Sequence, residues 1–127
     1  MKKKTIFITV AVIAVVAAIV TAVTIAPQKS GAYDQFAQCI KDSGTTFYGA
    51  FWCPHCRDQK AEFGKSAKYL PYVECSTSDG QSQNATCNAA GIQGYPTWVF
   101  PDHSTTTGVQ TLQTLAEKTS CPLPSAQ

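Results

Sequence analysis

The sequence predicts one α/β domain with a mixed sheet of about four strands. The 101 residues from Pro27 to Gln127 match the commonest domain length. Helical and strand-like segments alternate along them in the order α-β-α-β-α-β-β-α. A strand–helix–strand unit makes parallel neighbours, and a late hairpin adds antiparallel strands. The length excludes a two-domain enzyme, and 44% hydrophobic residues exclude a purely disordered chain.

The amino-terminal segment is predicted to be a transmembrane anchor. Ile6 to Ala26 is a run of 21 uncharged, mostly apolar residues, and a spanning helix needs about 20. Lys2 to Lys4 would hold the amino terminus in the cytoplasm, so we expect a single-pass protein of the cytoplasmic membrane with its domain outside, periplasmic or extracellular. A cleaved secretory signal is the alternative, and it delivers the domain to the same side. The predicted boundaries are a cytoplasmic basic segment (1–5), a transmembrane anchor (6–26), a linker (27–32), the folded domain (33–123) and a tail (124–127).

The first half of the domain is predicted from apolar spacing and turn residues. Phe36, Ala37 and Ile40 have helical spacing within 33–41, and Gly44 would end that helix. Residues 45–51 are β-branched and aromatic, which is typical of a buried strand. A helix over 54–68 follows, and Pro54 suits its first position, where no N–H is needed.

The second half alternates in the same way. A short strand over 72–75 precedes a polar loop, 76–84, and a short helix over 85–90 that ends at Gly91. Strands over 97–100 and 105–109 flank a turn at 101–104. The last helix, 111–119, places Leu112, Leu115 and Ala116 on one face.

Charge argues against a nucleic-acid partner. The chain carries ten basic and eight acidic residues, but three of the basic ones are Lys2 to Lys4. The remainder therefore has seven basic residues (10 − 3) against eight acidic, a net charge of about −1. Nucleic-acid binding would need a basic face or stripe, and none is expected here.

Six cysteines are the largest compositional signal. An even number in a small domain behind a targeting segment predicts an oxidising compartment in which disulfides persist. The cysteines are Cys39, Cys53, Cys56, Cys75, Cys87 and Cys121.

The motif Trp52-Cys53-Pro54-His55-Cys56 lies where a predicted strand becomes a helix. Cys53 would occupy the helix N-cap, where free N–H groups stabilise a thiolate. Cys56, one turn later, could close a disulfide with Cys53, and a protonated His55 would add positive charge beside the pair. A stabilised thiolate makes the disulfide a stronger oxidant, so the motif predicts redox chemistry. A plain structural disulfide and a metal clip are the alternatives.

Pro96 follows Tyr95 just before an apolar strand. Proline cannot donate a hydrogen bond to a sheet, so it indicates a turn or an edge. A cis peptide bond here would hold the Tyr95 backbone beside the redox pair. An ordinary trans bond is the alternative, since most X-Pro bonds are trans.

These motifs together resemble a thioredoxin-fold protein. The resemblance covers about 36–123 and is carried by YGAFWCPHC, Gln59-Lys60, Phe63-Gly64, YVEC and GIQGYPTW. More narrowly, it is to the thioredoxin-like domain fused to, or encoded alongside, bacterial vitamin K epoxide reductase homologues. The resemblance implies a thioredoxin-like sandwich, a cis Pro96, and a membrane-tethered thiol–disulfide oxidoreductase acting on exported protein thiols. A quinone-linked membrane enzyme resembling vitamin K epoxide reductase would re-oxidise the pair, and we expect no cofactor or metal in this chain.

One departure from the family concerns proton transfer. Thioredoxin carries a buried Asp six residues before its first cysteine, and this chain has Phe47 there. The proton of Cys56 must therefore pass to another group, and water and Glu62 are the candidates.

The other four cysteines are expected to pair. Cys75 and Cys87 lie at a strand end and in the following helix, and a second pair lies here in the resembling domains. That pair would be a structural staple or an electron relay, and we favour the staple. Cys39 ends the first helix of the domain and Cys121 follows the last, and both fall at the edge opposite the active site when the chain is traced. A structural disulfide between them would close a long loop, with free thiols or an intermolecular bond as the alternatives.

Four functions compete on this reading. The leading one is an oxidase that introduces disulfides into exported proteins. A disulfide reductase or isomerase of the same fold reverses the electron flow. A metal-binding module using Cys53, His55 and Cys56 is less favoured, because zinc sites want four regularly spaced ligands. A non-catalytic domain stapled by three disulfides is the fourth.

Overall fold

The computed structural model describes residues 2–25 and 30–125. Parts of the predicted segments 1–5, 27–32 and 124–127 therefore lie outside the described residues, as does Ala26. The helices are α1 (Lys2–Ile25), α2 (Asp34–Asp42), α3 (Pro54–Phe63), α4 (Ala85–Ala89) and α5 (Leu112–Thr119), with a 3-10 helix at Gly64–Tyr69. The strands are β1 (Thr46–Gly49), β2 (Tyr72–Glu74), β3 (Thr97–Val99) and β4 (Thr105–Thr107).

The four strands form one mixed sheet in the order β2-β1-β3-β4. β1 pairs with β2 in parallel, so that Phe47 is opposite Tyr72 and Gly49 is opposite Glu74. The β1–β3 and β3–β4 pairs are antiparallel, and Phe47 is also opposite Trp98. The predicted mixed four-stranded α/β fold is confirmed. Because β1 is one of the two inner strands, the CPHC motif that follows it lies beyond the end of an inner strand and not at an edge strand.

Aromatic side chains make up much of the core. Phe47 on β1 stacks on Trp98 of β3 with ring centroids 4.5 Å apart, and both side chains are fully buried. Phe36 on α2 stacks on Phe63 at the end of α3 at 5.8 Å. Rings of this size bury large apolar areas and favour such offset contacts. The two contacts hold α2, α3 and the central strands together.

The predicted transmembrane helix over 6–26 is wrong. Crossing the hydrocarbon core takes length and apolar character together over about 20 residues. No helix in the described ranges, 2–25 and 30–125, is long and apolar enough to cross a membrane.

The predicted helix over 54–68 divides into two helices at Gly64. α3 ends at Phe63, and a 3-10 helix continues from Gly64. Gly64 has φ +52°, a conformation that residues with a Cβ rarely adopt. The change in direction brings Ser66 under α2, where its hydroxyl accepts a hydrogen bond of 3.0 Å from the Tyr33 N–H.

Candidate active site

Cys53 occupies the N-cap of α3, between β1 and the helix. Its backbone is extended, with φ −73° and ψ 120°, and its N–H donates to the Ala50 carbonyl at 3.0 Å. Pro54 fills the first helical position, as the sequence predicts. The first N–H groups of a helix have no intrahelical partner and favour negative charge nearby. A thiolate on Cys53 therefore lies where the helix can stabilise it.

Cys56 lies behind Cys53, and both are free thiols in this structure. Only 1% of Cys56 is exposed, compared with 5% of Cys53. Because Cys56 is the more enclosed of the two, an external sulfur can approach Cys53 more readily. This geometry makes Cys53 the attacking or attacked thiol and Cys56 the resolving one.

Tyr95 and Pro96 lie directly against the dithiol. The Tyr95–Pro96 peptide bond is cis, and Pro96 is fully buried. The Cys53 Sγ lies 3.8 Å from the Tyr95 carbonyl oxygen, in position to donate a weak hydrogen bond. The backbone before Pro96 therefore forms one wall of the site.

Exposed side chains surround the entrance to Cys53. Phe51 is 54% exposed and Trp52 is 48% exposed, although both are large and apolar. The His55 side chain is 70% exposed, and its Nδ1 lies 3.8 Å from the Asp58 carboxylate. Protonated His55 therefore has the Asp58 carboxylate beside it as well as the dithiol. The negative charge of Asp58 offsets part of the positive charge that His55 would place beside the two cysteines.

Burial sets the protonation of Cys56. The pKa of the Cys56 thiol is raised to about 12, chiefly by burial and also by the neighbouring Cys53. A hydrogen bond from the Ala50 backbone and the positive charge of Lys60 act in the opposite direction. Glu62, one of the predicted proton acceptors, is exposed on α3, and Lys60 is the charged side chain on this helix that acts on Cys56.

Two hydrogen bonds tie the site to the loop after β2. The Trp52 indole N–H donates to the Ser76 hydroxyl at 2.9 Å, and the Tyr95 hydroxyl donates to the Gln83 carboxamide oxygen. The rings of Trp52 and Tyr95 also meet edge to face, with centroids 5.9 Å apart. The loop 76–84 therefore supports both aromatic residues that flank Cys53.

The remaining four cysteines form two disulfides. Cys75–Cys87 has a Cα–Cα distance of 5.4 Å and encloses the loop 76–84, and both residues are 0% exposed. Its cysteines cluster with Ile92, in a core separate from the one that contains Cys53 and Cys56. Cys39–Cys121 joins the ends of α2 and α5 across 5.8 Å between Cα atoms.

Three residues near the dithiol were missed as site residues in the sequence. Gln59 is fully buried and accepts hydrogen bonds from the Trp98 indole at 3.2 Å and the Gln110 N–H at 2.7 Å. Tyr72 and Glu74 lie on β2, and the Tyr72 hydroxyl donates to Glu74 at 2.8 Å. Gln59 could have been noticed in the sequence, because it is a polar residue three positions after Cys56 and so lies on the same side of α3. Tyr72 and Glu74 lie within the YVEC motif that carries the resemblance, but no local pattern marks them as site residues.

In the described part of the chain, no three His, Cys, Asp or Glu side chains converge as a metal site would require. The residues around the entrance are instead suited to thiol chemistry: one accessible sulfur, one enclosed sulfur, and a helix N-terminus.

The fold and the dithiol define a protein of the thioredoxin class, and comparison with known proteins agrees. The thioredoxin family model matches residues 27–120, so the chain belongs to the thioredoxin family. The chain is 41% identical over 95 residues to thiol-disulfide oxidoreductase LTO1 of Arabidopsis thaliana. The match covers 71% of this chain and 25% of the relative, so the chain spans about a quarter of the length of that curated protein. Both comparisons support a thiol–disulfide oxidoreductase.

Proposed function

We propose that this chain oxidises thiols of exported proteins, in an oxidising compartment outside the cytoplasm. The observation that carries the proposal is the pairing of Cys53, at the N-cap of α3, with the enclosed Cys56 behind it. The two disulfides, Cys75–Cys87 and Cys39–Cys121, support an oxidising location, because such bonds persist where thiols are not kept reduced.

The proposed reaction starts from the Cys53–Cys56 disulfide. A client thiolate attacks the Cys53 sulfur, a client–Cys53 bond forms, and the electron pair of the broken bond goes to Cys56. A second client thiolate then attacks the client sulfur, which closes the client disulfide and releases Cys53 as a thiolate. The client loses two electrons, and the domain gains them as two cysteines that take up protons.

The exposed Phe51 and Trp52 support a protein client. When a client polypeptide exchanges with Cys53, its apolar side chains can pack against Phe51 and Trp52 at the entrance. Burying apolar surface in this way is favourable by about 25 cal/mol per Å². Trp52 directly precedes Cys53 in the chain, and Phe51 precedes Trp52. An apolar segment beside the client cysteine would therefore bind more tightly than a charged one.

The re-oxidising partner is proposed to be a quinone-linked membrane enzyme resembling vitamin K epoxide reductase. The support is the sequence resemblance to domains that occur with such enzymes. The two electrons on Cys53 and Cys56 must finally leave to another molecule, because passing them to Cys75–Cys87 or Cys39–Cys121 would only leave that disulfide reduced instead. Mixing the reduced domain with such an enzyme and quinone in vesicles should convert both thiols to the disulfide.

Trapping the mixed disulfide tests the proposed exchange. In Cys56→Ser the resolving thiol is absent, so Cys53 should accumulate in covalent complexes with client cysteines. These complexes should appear on non-reducing gels and disappear with reductant. The matched control, Cys53→Ser, keeps Cys56 but should form none, because Cys56 is enclosed. Complexes of equal yield in both variants would refute the assignment of Cys53 as the exchanging thiol.

The direction of electron flow needs a separate measurement. An oxidase should have a reduction potential well above the roughly −270 mV of thioredoxin, and a reductase should lie near it. Equilibration of the Cys53–Cys56 pair with glutathione, read by mass spectrometry after alkylation, gives the value. A potential at or below that of thioredoxin would favour the reductase and overturn the oxidase.

A further inference from the structure

The enclosed thiol Cys56 shares its pocket with a tyrosine from the neighbouring strand. A Cβ built on Gly49 would lie 2.9 Å from the Cys56 Sγ and 2.8 Å from Cε2 of Tyr72. Both are closer than real Cβ atoms come, so any side chain at position 49 would displace one of them. The glycine therefore opens the space in which the sulfur and the phenol ring lie side by side.

A positively charged side chain lies over one face of the Tyr72 ring. The Lys60 Nζ lies 3.3 Å from the centroid of the Tyr72 ring, well within the range of a cation–π interaction. Lys60 is one helical turn after Cys56 on α3 and is half-buried. Its ammonium acts on the Cys56 sulfur from this half-buried position, where a charge is less screened than in bulk water.

Glu74 fixes the ring from the other side. Its Oε2 accepts the Tyr72 hydroxyl at 2.8 Å, while its Oε1 accepts the N–H groups of Phe51 at 3.1 Å and Ser76 at 2.9 Å. The carboxylate is thus bound to β2, to the segment before Cys53, and to the loop after β2. Tyr72 has little freedom to rotate away from Lys60.

We propose that Lys60, held over Tyr72 by the Glu74 anchor, stabilises the thiolate of Cys56. Tyr72 and Glu74 are positioning residues. The other groups that face Cys56 are Cys53 on α3, the Ala50 N–H after β1, and Tyr95 beside Pro96. Lys60 is the cation among them.

The charge matters because Cys56 is a thiolate in both directions of exchange. It leaves with the electron pair when a client attacks Cys53, and it is the nucleophile when it resolves a mixed disulfide on Cys53. Burial opposes both steps, since a buried thiol favours its neutral form. A cation beside the sulfur lowers the free energy of the buried thiolate, and it neither forms nor breaks a bond in either step. The inference rests on the proposed exchange at the dithiol, but not on the direction of electron flow.

The test uses the reduced domain and dithiobis-nitrobenzoate, an aromatic disulfide. Cys53 attacks it first, forms a mixed disulfide, and releases one nitrothiobenzoate. Cys56 then loses its proton to water, attacks the Cys53 sulfur, closes the disulfide, and releases the second. Two thiols are oxidised and one reagent disulfide is reduced to two thiolates. The second release reports Cys56, whereas the first reports whether exchange occurs at all.

Lys60→Met removes the charge and keeps the length of the side chain. The pH profile of the second release should move to higher pH, while the first release remains. For each unit of pKa, the thiolate falls tenfold and its nucleophilicity rises about threefold, so the second release should slow about threefold at neutral pH. Lys60→Arg should restore the wild-type profile.

Lys68→Met is the matched control. Lys68 also lies over a tyrosine, 4.8 Å from the Tyr69 ring centroid, but it is exposed and belongs to the 3-10 helix. Its profile should overlay that of the wild type. The proposal is overturned if Lys60→Met leaves the second release unchanged, if arginine fails to restore it, or if Lys68→Met shifts it equally. Loss of the first release in the wild type would instead contradict the proposed function.

Discussion

The Trp52 indole donates a 2.9 Å hydrogen bond to Ser76, and these two residues directly adjoin two different cysteine pairs. Trp52 precedes Cys53, and Ser76 follows Cys75. Because Cys75–Cys87 encloses the loop that bears Ser76, that disulfide limits the positions open to Trp52. The second disulfide thus supports the entrance of the active site.

Replacing Cys75 and Cys87 together with alanine should lower stability but leave the active pair competent. A disulfide of this loop length contributes about 3 kcal/mol in the chain-entropy model. Both sulfurs are fully buried, so a thiolate cannot reach them in the folded domain. Thermal unfolding measures the loss of stability. Thiol trapping after incubation with the oxidising partner measures whether Cys53 and Cys56 have been oxidised. A folded double variant whose active pair stays reduced would establish the relay instead.

His55 and Asp58 should shift the reduction potential in opposite directions. His55→Ala removes a positive charge beside the thiolate, so the pair should become less oxidising. Asp58→Asn removes the carboxylate 3.8 Å from His55 Nδ1 and should make it more oxidising. Since both side chains are exposed, each shift should stay below about 30 mV, a tenfold change in equilibrium constant, and shrink in high salt. Glutathione equilibration measures both, and shifts of the same sign would contradict the electrostatic explanation.

The reduced domain should lose stability at alkaline pH. The pKa of Cys56 rises to about 12 in the folded state, above its value in an unfolded chain. The folded state therefore keeps a proton that the unfolded state releases, and the stabilisation is complete below the unfolded pKa. It is lost as pH rises from about 8.5 towards 12, by at most about 1.4 kcal/mol per pH unit.

Denaturant unfolding of reduced wild type and reduced Cys56→Ser at several pH values measures that contribution. The larger part of the rise in the Tyr72 pKa, which comes from burial and from Glu74, is common to both proteins and is removed in the difference. The oxidised domain is a second control, because a disulfide does not titrate. Parallel stability curves for wild type and Cys56→Ser above pH 9 would contradict the assignment.

Gln59→Leu should destabilise the domain by about 2–4 kcal/mol, because it leaves the buried Trp98 indole and the partly buried Gln110 N–H without their acceptor. The substitution is close in volume, so lost packing contributes little. Gln113→Leu on the exposed face of α5 is the control and should change stability by less than about 0.5 kcal/mol. Chemical denaturation measures both, and equal effects would show that the buried hydrogen bonds contribute nothing specific.

The order of helices and strands was predictable because each has a local signal. Apolar spacing marked α2 and α5, and β-branched and aromatic runs marked β1 and β3. The division of the helix after Phe63 was not, since a glycine within an otherwise continuous pattern does not reveal its φ. The apolar run over 6–26 predicted a spanning helix from composition alone, and the described helices do not provide one.

The candidate site was predictable only in part, for a related reason. The CPHC motif is local, and the strand-to-helix junction around it could be read directly from the chain. The Lys60–Tyr72–Glu74 contacts depend on the register that sets Gly49 opposite Glu74 and on how α3 lies across β1 and β2. Register and helix placement come from packing over the whole core, which no short segment encodes.

The Cys39–Cys121 bond turns most of the domain into a covalent ring, since it joins positions 82 residues apart. A protease that cuts once anywhere inside this ring would leave both pieces attached to each other. The nicked molecule would migrate as a single species until reductant is added, and its halves could re-associate after denaturation as one particle. A limited-digestion pattern recorded without reductant would thus conceal cleavage in any loop between α2 and α5.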